Sequence, residues 1–253
     1  MINIYFVGTA GSGKSTMVYA FQQWMTLNGF DCITVNLDPG AEDIPYDPDV
    51  DIRDWVKISD VMEEYRLGPN GAQIAAADLM ALNASDLKAS IEGFKVPYVL
   101  IDTPGQIELF AFRHSCEVIM DSLGREESFL LFLADPALAR TPSGFVSCMM
   151  LAATVHFRFN TPFLVALSKS DVLKEEELAR VLGWSRDPDA LNYDLGETQG
   201  SRALLSLELF KAMENVGVYR ELTAISSTEN EGLEDIYTAV QMSFEGGEDL
   251  SRD

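Results

Sequence analysis

A chain of 253 residues, 47% of them hydrophobic, is long enough to bury a large core, which excludes wholesale disorder and leaves one large α/β domain or two small ones. With 40 acidic and 18 basic residues the formal charge is -22, which repels phosphate backbones and anionic lipid and so disfavours general nucleic-acid or membrane-surface binding. The longest apolar stretches, such as 129–134 and 162–167, fall far short of the roughly 20 residues that span a bilayer. No basic segment precedes the apolar run that opens at Ile2, so no signal peptide is expected and the expected compartment is the cytoplasm. Cys32, Cys116 and Cys148 suit buried thiols better than a disulfide framework, and His114 and His156 lack the spacing of a helical metal pair.

Taken in chain order, the first apolar run, 2–7, reads as a buried strand. It leads into Gly8-Thr9-Ala10-Gly11-Ser12-Gly13-Lys14-Ser15, two glycines five apart followed by Lys and Ser. Glycines let the backbone wrap a phosphate with its amides inward, Lys14 adds a mobile positive charge, and Ser15 offers a hydroxyl to magnesium. Helical spacing follows over 15–27, so the loop has the strand-to-helix context that its chemistry needs. A second strand is expected over 32–37. The stretch of about 43–93 then breaks the rhythm with a Pro- and Asp-rich loop and two helix candidates but no convincing strand, and reads as an insertion. Its acid-rich part, 43–60, defaults to a solvated face. Locally, Leu67-Gly68-Pro69-Asn70-Gly71 is a turn in which Asn70 caps the next helix.

The strand expected over 98–101 runs into Asp102, the usual place for a carboxylate that holds magnesium through water. Thr103-Pro104-Gly105-Gln106 comes next: the Gly105 amide could meet a terminal phosphate, and Gln106 or Glu108 could orient the attacking water. A helix is expected over 107–123, with strands over 128–133 and 163–167. After the last of these, Ser168-Lys169-Ser170-Asp171 stands where GTPases place Asn-Lys-x-Asp, with the aspartate accepting two guanine donors and the lysine packing over the ring. Adenine lacks those donors, so Asp171 argues for GTP over ATP, while Ser168 departs from the usual asparagine. Helices over 174–182 and 201–216 flank an irregular stretch, 183–200. A strand over 222–225 precedes Ser226-Ser227, whose amides could reach the guanine carbonyl, and the acidic 245–253 reads as a frayed tail. Strands alternating with helices imply a mainly parallel sheet flanked by helices, so the fold class is α/β, and the phosphate loop of Gly8 to Ser15 makes it a P-loop NTPase. The expected layout is one domain over 1–244 with its insertion at about 43–93.

Gly8 to Thr16, Asn36-Leu37-Asp38-Pro39, Asp51-Ile52-Arg53-Asp54, Gly68-Pro69-Asn70, Asp102 to Gln106 and Ser168 to Asp171 occur in an order that resembles the GPN-loop GTPases, over nearly the whole chain. The resemblance points to an archaeal-type member of the signal-recognition-particle, MinD and BioD class of P-loop proteins. It implies an obligate homodimer in which Gly68-Pro69-Asn70 of one subunit enters the other's site, bringing Asn70 to the partner's terminal phosphate or attacking water. MinD-like relatives put a second phosphate-loop lysine there, whereas this chain has Thr9 and Ala10. It further implies that Asp38 joins Ser15 and Asp102 near magnesium, that Gln106 and Glu108 serve the nucleophile, and that Thr16 belongs to the nucleotide site. The function expected is a GTP-hydrolysing, magnesium-dependent switch that cycles between GTP and GDP. The alternative is an assembly or chaperone factor in which GTP controls binding of a protein client, related to RNA polymerase by family resemblance.

Overall fold

A computed structural model describes residues 1–197, 201–215 and 221–244. Seven strands, β1 (Ile2–Gly8), β2 (Cys32–Asn36), β3 (Val50–Asp51), β4 (Tyr98–Asp102), β5 (Ser128–Ala134), β6 (Phe163–Leu167) and β7 (Thr223–Ala224), form one sheet in the order β3-β2-β4-β1-β5-β6-β7. Every pairing in it is parallel. The helices are α1 (Lys14–Leu27), α2 (Ile58–Tyr65), α3 (Pro69–Met80), α4 (Ala84–Glu92), α5 (Ile107–Ala111), α6 (His114–Leu123), α7 (Pro136–Ala139), α8 (Pro142–Phe159), α9 (Glu175–Arg186), α10 (Pro188–Glu197), α11 (Ser201–Asn215) and α12 (Leu233–Phe244). None of the described helices is long and apolar enough to cross a membrane.

Parallel strands need crossovers, and crossovers put helices on both faces, so the strands must be apolar throughout. All seven residues of β5 are buried. Leu130 and Phe132 point into a core shared with Ala77, Ile119, Val155 and Leu191, whereas Phe129, Leu131 and Leu133 point into the opposite one, with Phe21, Ile236 and Val240. The two-residue period of the strand thus feeds two cores from one run.

Several expectations need correction. A short strand, β3, lies inside the 43–93 stretch, pairing Val50 with Val35 and Asp51 with Asn36. That stretch holds three α-helices rather than two, with a small apolar cluster of its own at Val56, Val61, Ala72 and Ala76. The helix expected over 107–123 is two helices: at Arg113 the backbone turns extended, with φ -98 and ψ 142, and the Arg113 guanidinium pairs with Asp78 of α3. The irregular stretch 183–200 contains α10 and the end of α9. Of the three thiols, Cys116 and Cys148 are buried and Cys32 is half-buried. The acidic stretch 245–253 lies outside the described residues.

Candidate nucleotide site

Open parallel α/β sheets bind ligands beyond the carboxyl ends of their strands, where the strand order reverses. The residues singled out from the sequence gather at that edge. Gly8 ends β1, Asp102 ends β4, Asp38 follows β2, Ser168 to Asp171 follow β6, and Ser226 and Ser227 follow β7. Gly11, Gly13, Lys14, Ser15, Thr16, Asp38, Gly105 and Lys169 line one cleft of about 430 Å³.

The loop between β1 and α1 depends on glycine at defined points. Gly11 and Gly13 have φ +78 and +91, left-handed conformations that cost other residues strain. A Cβ on Gly8 would lie 2.5 Å from Ser12 Oγ and 2.8 Å from the Leu133 carbonyl oxygen. Gly13 caps α1 with no side-chain bond, so the positive end of that helix opens on the cleft. Lys14 Nζ is buried and donates to the carbonyls of Gly8 and Thr9 at 3.1 Å and of Gly105 at 3.2 Å. Burial pulls its pKa down, and the nearby charges of Asp102 and Asp38 oppose that pull. Ser12 Oγ is buried with no hydrogen-bond partner among the described residues.

Asp102 is 2% exposed. Its Oδ2 accepts from the Tyr46 hydroxyl at 3.0 Å, and its Oδ1 is buried without a hydrogen-bond partner among the described residues. Burial pushes its carboxyl up to about 6, against Ser15, Tyr46 and Lys14, which favour the charged form. Asp38 is tied on both oxygens, Oδ1 accepting from the Gly40 amide and Oδ2 from the Gly105 amide, each at 2.9 Å. Behind it, Asn36 accepts from the Asp38 amide at 3.0 Å and donates to Asp51 Oδ1 at 3.0 Å. Asp51 in turn holds the Arg53 guanidinium, which donates to the Ala41 carbonyl at 2.8 Å. Part of the acid-rich stretch is therefore internal scaffolding for the Asp38 loop and not a solvated face. Ser15, Asp38 and Asp102 supply a hydroxyl and carboxylates, the hard oxygens that magnesium takes. The unpartnered, costly Asp102 oxygen fits such an ion.

At the other end of the site, Ser168 is buried and its hydroxyl donates to the Ala134 carbonyl at 3.1 Å. Lys169 has φ 50, and its ammonium donates to the Gly11 carbonyl and to Asp135 Oδ2, the latter at 3.2 Å. Asp171 is exposed, and its Oδ1 accepts from the Ser226 hydroxyl at 2.6 Å. Ser227 is half-buried in the turn that the Ser226–Glu231 bridge closes.

The insertion packs on the main core through Ala77 and Met80 and meets the site through Tyr46 and Gln73, but its Gly68-Pro69-Asn70 turn is exposed. Gly68, not Asn70, is the N-cap of α3, with Pro69 in its first turn, where its missing N–H costs nothing. This corrects the local reading of Asn70 as a cap; its side chain is exposed. Gln106 is exposed and donates to Gln73 of α3 at 3.0 Å; with Asp38 and Gly105 it lines a second cleft of about 220 Å³. Pro69 and Gln73 line a third, of about 720 Å³. Asn70 and the exposed Glu108 line none of these clefts.

Sequence reasoning missed the structural parts played by Tyr46, Gln73, Asp135 and Ser226. Each acts through a side-chain bond to a residue 33 to 56 positions away, which no local motif signals.

A family model described as "Conserved hypothetical ATP binding protein" matches residues 6–246. The chain is 31% identical over 237 residues to the GPN-loop GTPase PAB0955 of Pyrococcus abyssi, covering 93% of this chain and 94% of that protein. It is 28% identical over 249 residues to GPN-loop GTPase 1 of Dictyostelium discoideum, covering 94% of this chain and 60% of that longer relative. Among solved structures, the apo form of the Pyrococcus abyssi GTPase PAB0955 matches with a TM-score of 0.86 and 29% identity, covering 96% of this chain and 97% of that one. With the phosphate loop, the carboxylate strand end and the Gly68-Pro69-Asn70 turn in their places on this fold, the chain belongs to the GPN-loop GTPase family.

Proposed function

We propose that this GTPase works as a homodimeric switch in the cytoplasm, with Asn70 of each subunit acting at the partner's site. Residues 1–244 then serve as one P-loop domain, with the insertion at about 43–93 as its dimer-reading part. The observation that carries this reading is the position of Asn70: it is exposed on the first turn of α3 and lines none of the three clefts described above, the phosphate-loop cleft among them. Facing a second copy across a two-fold axis gives it a phosphate to serve.

In this reading the amides of Gly8, Gly11, Ser12 and Gly13 and the α1 terminus receive the phosphates of GTP. Lys14 exchanges its three carbonyl partners for phosphate oxygens, and Thr16 completes the loop's hold. Gly105 offers its amide to the terminal phosphate, while Gln106 or Glu108 orients the attacking water. Ser15, Asp38 and Asp102 hold magnesium, which when bound neutralises charge on the phosphates. Lys169 lies along the base, Asp171 accepts the guanine donors, Ser168 ties its loop to β5, and Ser227 offers an amide to the guanine carbonyl. Guanine over adenine is supported by Asp171, because a carboxylate accepts from guanine's imide and exocyclic amine, donors that adenine lacks at that edge. Hydrolysis releases the terminal phosphate from Gly105, and the Gln106–Gln73 bond passes that change to α3. The second reading, GTP-controlled binding of a protein client, is favoured by Ile74, Leu82 and Phe112, apolar side chains exposed on or beside that same helix.

The test is turnover of GTP and of ATP by wild type, Asn70→Ala, Lys14→Ala and a mixture of the two variants. GTP alone should be used, and each variant should be close to inactive. After random subunit exchange, half the dimers carry one complete site of two, so about a quarter of wild-type activity should return. An inactive mixture, or an active Asn70→Ala, would remove the trans role.

A further inference from the structure

Recognition of the base depends on how firmly its loop is tied to the phosphate loop, and Ser168 does not make that tie. Its hydroxyl ends on the Ala134 carbonyl of the adjacent strand, 3.1 Å away. The connection runs through Lys169 instead. The lysine Cε passes 3.5 Å from where a Gly13 Cβ would stand, and its ammonium reaches the Gly11 carbonyl. Its backbone is left-handed, with φ 50, a conformation that surrounding structure has to hold in place for a residue other than glycine. A lysine is also a flexible four-carbon stem, which does not by itself define one position.

We propose that Asp135 is a positioning residue for guanine-nucleotide binding, fixing Lys169 across the phosphate loop. The two oxygens of Asp135 divide the work. Oδ1 accepts from the Ala137 amide at 2.8 Å and so caps α7, which anchors the carboxylate. Oδ2 accepts from Lys169 Nζ at 3.2 Å, which anchors the lysine. Asp135 is the better shielded partner, its side chain 18% exposed against 39% for Lys169. Placed directly after β5, it stands beside the loop that follows β6, because those strands are neighbours in register from Leu130–Phe163 to Ala134–Leu167. Asp135 is not needed at the nucleotide itself, and its effect passes through the lysine. The inference rests on the proposed role of Lys169 at the base.

The experiment is a double-mutant cycle on GDP affinity and dissociation rate, using the full chain as wild type, Asp135→Asn, Lys169→Ala and the double variant. Asparagine keeps an oxygen for the α7 cap and removes the charge from the lysine, so the nucleotide-free protein should melt where wild type does. Asp135→Asn should weaken GDP binding about fivefold, mainly through faster dissociation, and should have no further effect in the Lys169→Ala background. Unchanged affinity in Asp135→Asn, with Lys169→Ala weakened, would overturn the inference and leave the base-site reading standing. Equal weakening in both backgrounds, accompanied by a lower melting temperature, would also overturn it by assigning Asp135 to the helix cap alone. If Lys169→Ala itself binds GDP as wild type does, the base-site reading falls, and this inference with it.

Discussion

The carboxylate of Asp38 accepts a hydrogen bond from the Gly105 amide at 2.9 Å, occupying the donor that the terminal phosphate is proposed to use. Asp38 and a phosphate oxygen are therefore competitors, and GDP, which lacks the terminal phosphate, leaves the bond undisturbed. Removing Asp38 should favour GTP over GDP. For Asp38→Ala, measured without magnesium to set aside its part at the metal, we expect the affinity ratio of a non-hydrolysable GTP analogue to GDP to rise about fivefold. Equilibrium binding checks this, and an unchanged ratio would mean that the bond does not oppose the phosphate.

Asp51 links Asn36 to Arg53 behind the Asp38 loop. Burial raises its carboxyl, but hydrogen bonds from the Arg53 side chain and amide and from Asn36 outweigh burial and hold it below the usual carboxylate range. With a depressed folded value, the unfolded chain takes up the proton first as pH falls. The stabilisation is then full above the unfolded value of about 3.9 and disappears as pH drops through the folded one. Asp51→Asn should cost about 1–2 kcal/mol at pH 7, with the gap to wild type closing as pH falls below about 4. Urea unfolding of both proteins across that range checks the sign; a gap that widened in acid would refute it.

Two glycines should respond to alanine in opposite directions. At Gly8 the added methyl meets Ser12 Oγ at 2.5 Å and a backbone carbonyl at 2.8 Å, so Gly8→Ala should lose about 1–3 kcal/mol and most nucleotide affinity. At Gly183, inside α9, nothing lies within 4 Å, and alanine should add about 0.5–1 kcal/mol. Thermal denaturation of the two variants separates crowding from helix propensity.

Ser226 donates to Asp171 at 2.6 Å and accepts from the Glu229 amide at 3.1 Å, which fixes the carboxylate proposed to read guanine. Ser226→Ala should lower the preference for GTP over inosine triphosphate, which lacks the exocyclic amine, by about five- to tenfold in kcat/KM. Equal losses for both nucleotides would leave Ser226 as a general loop support.

The phosphate loop and the strand ends were readable because both are local: a fixed spacing of glycines and lysine, and apolar runs that end in polar residues. What stayed hidden is non-local or lacks period. The strand β3 is two residues long and looks like the aspartate-rich loop around it until it pairs with Val35 and Asn36. The 18-residue helix α8 is apolar around most of its girth and buries one side against the sheet, so it shows no clear stripe. The break between α5 and α6 serves the Arg113–Asp78 pair, which joins residues 35 positions apart. Asn70 looked like a cap because its residue type favours one, yet Gly68 takes that place and frees Asn70.

The central position of β1 sets an order of events during synthesis. Ile2 finds its partner at Tyr98, and Asn3 finds its other partner at Ser128. This strand therefore waits, apolar, with one edge unpaired until Tyr98, 96 residues after Ile2, has been made and the other until Ser128, 125 residues after Asn3, and the phosphate loop beside it lacks its full floor until then. Nascent chains stopped before β5 should be unable to hold nucleotide, so the motif read first in the sequence is among the last parts of the protein to be built.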